Sequence, residues 1–233
     1  MNRKTLLCTL ALAVLLPLTL LAGSRLPGRW YYLTATAMLL ESMVPFFLSF
    51  ESRRPQARDI CTIAVLSSLA VAARVAVVIP GYRPTMAVVM LAGIALGPES
   101  GFITGAVAAL ASNFFYSQGP WTPWQMMSYG LGGFLAGILV PRLFPRKRSW
   151  ELALFGFVCI LTVVGPVLDA STLFTVSSRL SLSYAAAAFA AGLPFNLRHG
   201  FAVGLTLWLV GRPLLSRLER VRQKYGILLR DSN

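Results

Sequence analysis

Hydrophobic positions in this chain do not alternate with polar ones at a spacing of two. They fall in long runs, separated by short clusters of arginine, proline, glycine and hydroxyl-bearing residues. A run of about 20 apolar residues matches the hydrocarbon thickness of a bilayer. In that layer every backbone N–H and C=O needs a partner inside the protein, which leaves helices or a closed barrel. Without period-two alternation, helices are the remaining choice. The pattern predicts eight helical segments, roughly 4–23, 30–50, 58–79, 84–96, 99–116, 125–143, 151–168 and 182–211.

The segment at 84–96 is short. Pro84 suits a first helical position, and Gly97-Pro98 closes the segment. Its length of about 20 Å falls short of a hydrocarbon core of about 30 Å, which predicts a recess in the outer leaflet beside full-length neighbours. The first segment begins with Arg3 and Lys4 and ends at Leu21-Ala22-Gly23-Ser24, features shared with secretory signal peptides. It is also long enough to span, and the charge distribution favours its retention.

Composition narrows the class. Of 233 residues 56% are hydrophobic and only 12% charged, about half the charge of an ordinary soluble domain. The chain therefore reads as an all-α polytopic membrane protein. Its net charge of +13 invites a nucleic-acid partner, but the basic residues gather at helix ends. Arg142, Arg146, Lys147 and Arg148 form one group; Arg212, Arg217, Arg220, Arg222 and Lys224 form another. That is the positive-inside pattern, and it argues against nucleic acid. Eight retained helices place both termini, and the connections holding Arg53, Arg54, Arg58 and Arg142–Arg148, in the cytoplasm. Cys8, Cys61 and Cys159 form no CxxC pair and imply neither disulfide nor metal site.

Two stripes recur every four residues. Gly97, Gly101, Gly105, Ala109 and Asn113 share one helical face, and Gly133 and Gly137 repeat the device in the next helix. Small residues allow close helix packing in lipid. Ala64, Ser68, Ala72 and Ala76 make a second stripe, suited to packing within the protein or to receiving a helix from another one.

Polar side chains inside spans are costly and mark function or internal bonding. Glu41 and Arg74 stand singly, while Asn196, Arg198 and His199 cluster after Pro194. The most conspicuous interruption is Asn113–Gln125, reading NFFYSQGPWTPWQ, with two prolines, two tryptophans and no formal charge. Charge counting puts it outside. Aromatic faces beside amides suit a flat or bulky organic ligand, although tryptophan and tyrosine also line membrane interfaces. The Tyr82-Arg83-Pro84 turn and the hydroxyl-rich 169–183 stretch fall on the same side. No HExxH, GxSxG, paired intramembrane carboxylates or Walker-type loop is present, so neither catalysis nor ATP hydrolysis is expected of the chain itself.

Several runs together resemble a known family. Pro80-Gly-Tyr-Arg-Pro84, Leu91 to Pro98, Gly101-Phe with Gly105, Ser112-Asn-Phe-Phe115 and Gln118 to Met126 are similar to the substrate-binding S component of energy-coupling factor (ECF) transporters. The likeness covers about 57–212, and Gly-Pro-Trp-Thr-Pro-Trp-Gln is its most specific block. It implies a two-helix extension over 1–56, a six-helix core over 57–212 and a basic cytoplasmic tail over 213–233. It further implies capture of a water-soluble vitamin at the outer face of a bacterial cell membrane, with no cofactor of the chain's own. Delivery would follow docking on a coupling T subunit driven by two ATPase subunits. The family's AxxxA docking motif is matched in type by Ala64 and Ser68. The expected substrate-binding residues are Tyr82, Arg83, Asn113, Tyr116, Gln118, Trp121, Thr122, Trp124, Gln125 and Asn196. The tryptophan-rich loop looks closest to members associated with cobalamin or other corrinoids, with riboflavin next. Rival readings are a membrane enzyme acting on a lipid or isoprenoid, and a non-transporting assembly subunit.

Overall fold

In the computed structural model the described residues are 18–19, 31–77, 82–176 and 182–228, and among them there are helices and turns but no strand. The first helices are α1 (Tyr31–Ser52), α2 (Ala57–Val75), α3 (Thr85–Leu96), α4 (Pro98–Tyr116) and α5 (Thr122–Leu143). Then α6 (Ser149–Cys159) runs through a π-helical turn at Ile160–Val164 into α7 (Gly165–Val176). Likewise α8 (Leu182–Thr206) passes through Leu207–Gly211 into α9 (Arg212–Tyr225). Leu33–Ser52, Thr122–Leu143, Ser149–Leu173 and Leu182–Tyr225 are long and apolar enough to cross a bilayer.

Local chemistry sets the helix ends. At the start of α2, Asp59 Oδ2 accepts the Gln56 N–H at 2.8 Å, and Asp59 Oδ1 accepts the Leu228 N–H at 3.0 Å. That carboxylate both caps α2 and ties it to the end of the final helix. At α6, Glu151 Oε2 takes the Arg148 N–H at 2.7 Å. Between α3 and α4 the chain reverses at Gly97, whose φ of +102° would strain any side-chain-bearing residue.

Each π turn precedes a proline by two residues, Pro166 in one case and Pro213 in the other. Proline brings no N–H and its ring crowds the carbonyl four residues back. Those carbonyls, on Thr162 and Leu209, lie inside the two π turns. Widening the helix there relieves the crowding without breaking the rod.

The core is α3. All twelve of its residues are buried, so a helix apolar all round stands at the centre with α4 and α5 packed closely on it. Glycine makes this possible. A Cβ on Gly93 would sit 2.0 Å from the Gly133 carbonyl oxygen, and one on Gly105 would sit 2.3 Å from that of Tyr129. Backbone therefore touches backbone, as lipid-immersed packing favours. On the far side of α4, Phe46 of α1 stacks on Phe102 with centroids 4.0 Å apart.

Several boundaries differ from those expected. Pro84 caps α3 instead of opening it. The 113–125 stretch is mostly helical: Asn113–Tyr116 finish α4 and Thr122–Gln125 begin α5, leaving a short turn between. The reason is that Pro123, at the start of α5, needs no N–H partner there. The helix expected to end near 168 continues to Val176, so Asp169 and Ser171 lie on α7 and not in a loop. The last helix, expected to stop near 211, continues through the second π turn to Tyr225, since Pro213 falls where a helix tolerates it. The first expected segment, 4–23, lies outside the described residues apart from Leu18 and Thr19.

Candidate functional site

The ends of α2, α4 and α5 farthest from the basic 142–148 turn enclose a polar cluster. The Arg74 guanidinium, at the end of α2, is 3% exposed. Its Nη1 donates to Ser112 Oγ and to Asn113 Oδ1, the latter at 3.2 Å. Asn113 Nδ2 in turn donates to Gln125 Oε1 at 2.7 Å and Thr122 Oγ1 at 3.1 Å. Thr122 Oγ1 accepts the Gly119 N–H at 3.2 Å and donates to Gln118 Oε1 at 2.9 Å. One chain of hydrogen bonds thus joins α2, α4, the turn and α5. It holds Ser117, whose φ of +75° would otherwise be unfavourable.

Rings flank the cation. The Arg74 guanidinium lies 5.0 Å from the Tyr116 ring centroid and 5.9 Å from that of Tyr129. Tyr116 also donates its hydroxyl to the Arg74 carbonyl at 2.9 Å. Arg83 sits 5.8 Å from the Tyr116 centroid and 5.9 Å from that of Phe195, on α8. Phe195 neighbours His199, with ring centroids 6.1 Å apart. Arg74, Arg83, Tyr116, Phe195 and His199 therefore form one group.

This group is incompletely satisfied. Arg74 Nε, both ring nitrogens of His199 and Asn196 Oδ1 are buried without a hydrogen-bond partner among the described residues. Asn196 Nδ2 is held by Asp169 Oδ2 at 2.7 Å, which aims the amide. Neither Arg74 nor Arg83 has a carboxylate partner among the described residues. Burying a guanidinium against neutral groups alone is expensive, and leaving buried polar atoms unpaired adds to the cost. Such an arrangement is what a site open to a ligand's own donors and acceptors requires.

The residues singled out in the sequence fall into three sets. Asn113, Gln118, Thr122 and Gln125 form the hydrogen-bonded chain, and Tyr116 and Arg83 belong to the incompletely satisfied group, with Asn196 about one helical turn before His199. Trp121 lies against Gly119, while Trp124 is buried on α5. Tyr82 points elsewhere, sharing a 2.7 Å hydrogen bond with Thr206. Phe114 and Phe115, beside the cluster in sequence, face outward, Phe114 with 77% exposure. Arg74, Ser112, Tyr129, Asp169, Phe195 and His199 were not assigned to the site from sequence. For Arg74 and His199 a signal existed, because an ionisable residue within a span is a candidate by default; Asp169 fell just beyond the expected 151–168 span. Glu41, another such residue, is engaged elsewhere by the Thr19 hydroxyl at 2.9 Å.

The second expected feature, the Ala64–Ala76 stripe, lies on the outside of the bundle. Ala64, Ser68, Ala72 and Ala76 are all exposed, as are the neighbouring Val65 and Leu69.

A multi-pass helical bundle with buried polar groups gathered near one end has the build of a membrane protein that binds a small molecule. A family model described as "ECF-type riboflavin transporter, S component" matches residues 55–220, and the chain belongs to this family. It is thus the substrate-binding membrane subunit of a transporter and not an enzyme. No curated protein and no solved structure matches the chain significantly.

Proposed function

We propose that this subunit binds riboflavin, or a close flavin relative, at the Arg74–Asn196–His199 group and passes it inward by docking on a coupling subunit. The observation that carries the reading is the set of unpaired buried atoms beside Tyr116 and Phe195. A flavin ring is flat, so it suits stacking on aromatic faces. Its pyrimidine edge presents two carbonyl acceptors around one N–H donor. Arg74 Nε and a protonated nitrogen of His199 offer donors, and Asn196 Oδ1 offers the acceptor. The family description supports a flavin above the corrinoid that the tryptophan-rich block alone suggested.

Docking would use the exposed Ala64–Ser68 face of α2, flat enough for a partner helix to approach closely. Two ATPase subunits would drive the cycle, since the chain has no phosphate-binding loop of its own. Capture from outside and cytoplasmic termini follow from the charge bias. The test is purification of the full chain from membranes and mass spectrometry of the co-purified small molecule. Riboflavin bound one to one is the expected result; a corrinoid, or no vitamin even after addition of riboflavin, would remove the flavin assignment.

A further inference from the structure

The opposite end of the bundle carries a different cavity. Between α5 and α6 lies a space of about 290 Å³ lined by Leu135, Leu139, Leu143, Phe155, Val158 and Val163, among others. Thr162, the hydroxyl-bearing residue on its wall, spends its O–H on the Val158 carbonyl at 2.8 Å. The groove therefore offers mainly apolar surface and no free donor from that side chain. From Leu143 to Leu135 it follows α5 for about 12 Å, against a leaflet half-thickness of about 15 Å. One acyl chain, entering at the end near Leu143, would fill it to about the bilayer midplane.

The entrance is basic. Leu143 and Phe144 open directly onto the turn containing Arg146, Lys147 and Arg148, with Arg142 one residue before. The acidic groups here are already engaged. Glu219 pairs with Lys147 at 2.6 Å, and Glu151 caps α6 through the Arg148 N–H. The side chains of Arg142, Arg146 and Arg148 are exposed and have no carboxylate partner among the described residues. Trp150, half exposed, sits at the same level, as interfacial tryptophans do.

We infer that this groove is a binding site for an anionic phospholipid of the leaflet at the basic end. One acyl chain lies between α5 and α6, and the phosphate is held by Arg142, Arg146 and Arg148. Charge complementarity selects the headgroup, and the leaflet-deep apolar wall selects a tailed molecule over a free phosphate. The site is separate from the polar cluster and does not depend on which vitamin is carried. It would keep the α5–α6 face covered by lipid while leaving the α2 stripe open to a partner.

Native mass spectrometry of the full chain in detergent, with equimolar phosphatidylglycerol and phosphatidylcholine of identical acyl chains, tests this. Phosphatidylglycerol should be retained about tenfold over phosphatidylcholine. Replacing the three surface arginines by glutamine (R142Q, R146Q, R148Q) should bring the two lipids to parity. Val158→Trp, filling the groove from its exposed rim, should lower phosphatidylglycerol retention severalfold. Inorganic phosphate should not displace the lipid. Equal retention of both lipids by the unmodified chain would overturn the site, and that measurement needs no variant to fold. So would a preference that survives the arginine changes, retention unaffected by Val158→Trp, or displacement by phosphate alone.

Discussion

Helices α4 and α5 meet twice, and the two meetings are built on opposite principles. Along most of their length Gly101, Gly105 and Gly133 bring backbone against backbone, with no side chain between. Three turns beyond Gly101 the small-residue stripe ends at Asn113, and the gap fills with amide, hydroxyl and guanidinium groups. In the first region the buried hydroxyls of Thr104 and Ser128 are spent on backbone carbonyls, so shape decides the contact. In the second, a charge is buried and some of its neighbours stay unpaired. Rigidity built by the glycines frames the polar cluster, where several buried atoms stay unpaired.

Breaking the first region should have the largest effect. Gly105→Leu places a side chain where even a Cβ meets the Tyr129 carbonyl at 2.3 Å, and backbone cannot step aside. The expected loss is about 3 kcal/mol or more, seen as failure to recover monodisperse protein in size-exclusion chromatography. A variant with unchanged thermal stability would contradict backbone contact at this point.

The exposed small residues of α2 should behave differently from the buried ones. Leucine at both Ala64 and Ser68 should leave folding and vitamin binding intact and abolish ATP-driven uptake in vesicles holding the complete transporter. Normal uptake would reject that docking face.

Within the outer cluster, Arg74→Gln and His199→Ala should each weaken riboflavin affinity by about 10-fold to 100-fold, the range for losing a hydrogen bond to a charged or buried group. Quenching of flavin fluorescence on titration reads this directly. If affinity stays the same in both, the unpaired atoms have no part in binding.

Trp121→Ala should produce the smallest change, a loss of about threefold at most, because the ring rests on Gly119 and remains 39% exposed. A larger loss would mean that the turn closes over the ligand and that the two α4–α5 regions are less independent than drawn here.

Much of this was legible in the chain. Apolar runs without period-two alternation led to helices, because lipid offers the backbone no other partner. The four-residue glycine spacing marked the α4–α5 contact correctly, since spacing alone puts residues on one face. Helix ends were less legible near proline. Pro123 and Pro213 lay just outside the expected segments, yet Pro123 sits at a helix start and Pro213 just beyond a π turn, as Pro166 does inside its helix.

The sequence by itself determined the membrane class and the closely packed stripe, which rest on local composition and periodicity, and the family, which rests on the resemblance of its motif blocks. Tertiary structure decided which polar residues meet. Arg74 and Ser112 are 38 positions apart, and Asp169 and Asn196 are 27 apart. No local pattern encodes such pairs, because they depend on the relative height and rotation of packed helices. The same packing turned Phe114 outward and left Tyr116, two residues on, over a buried guanidinium.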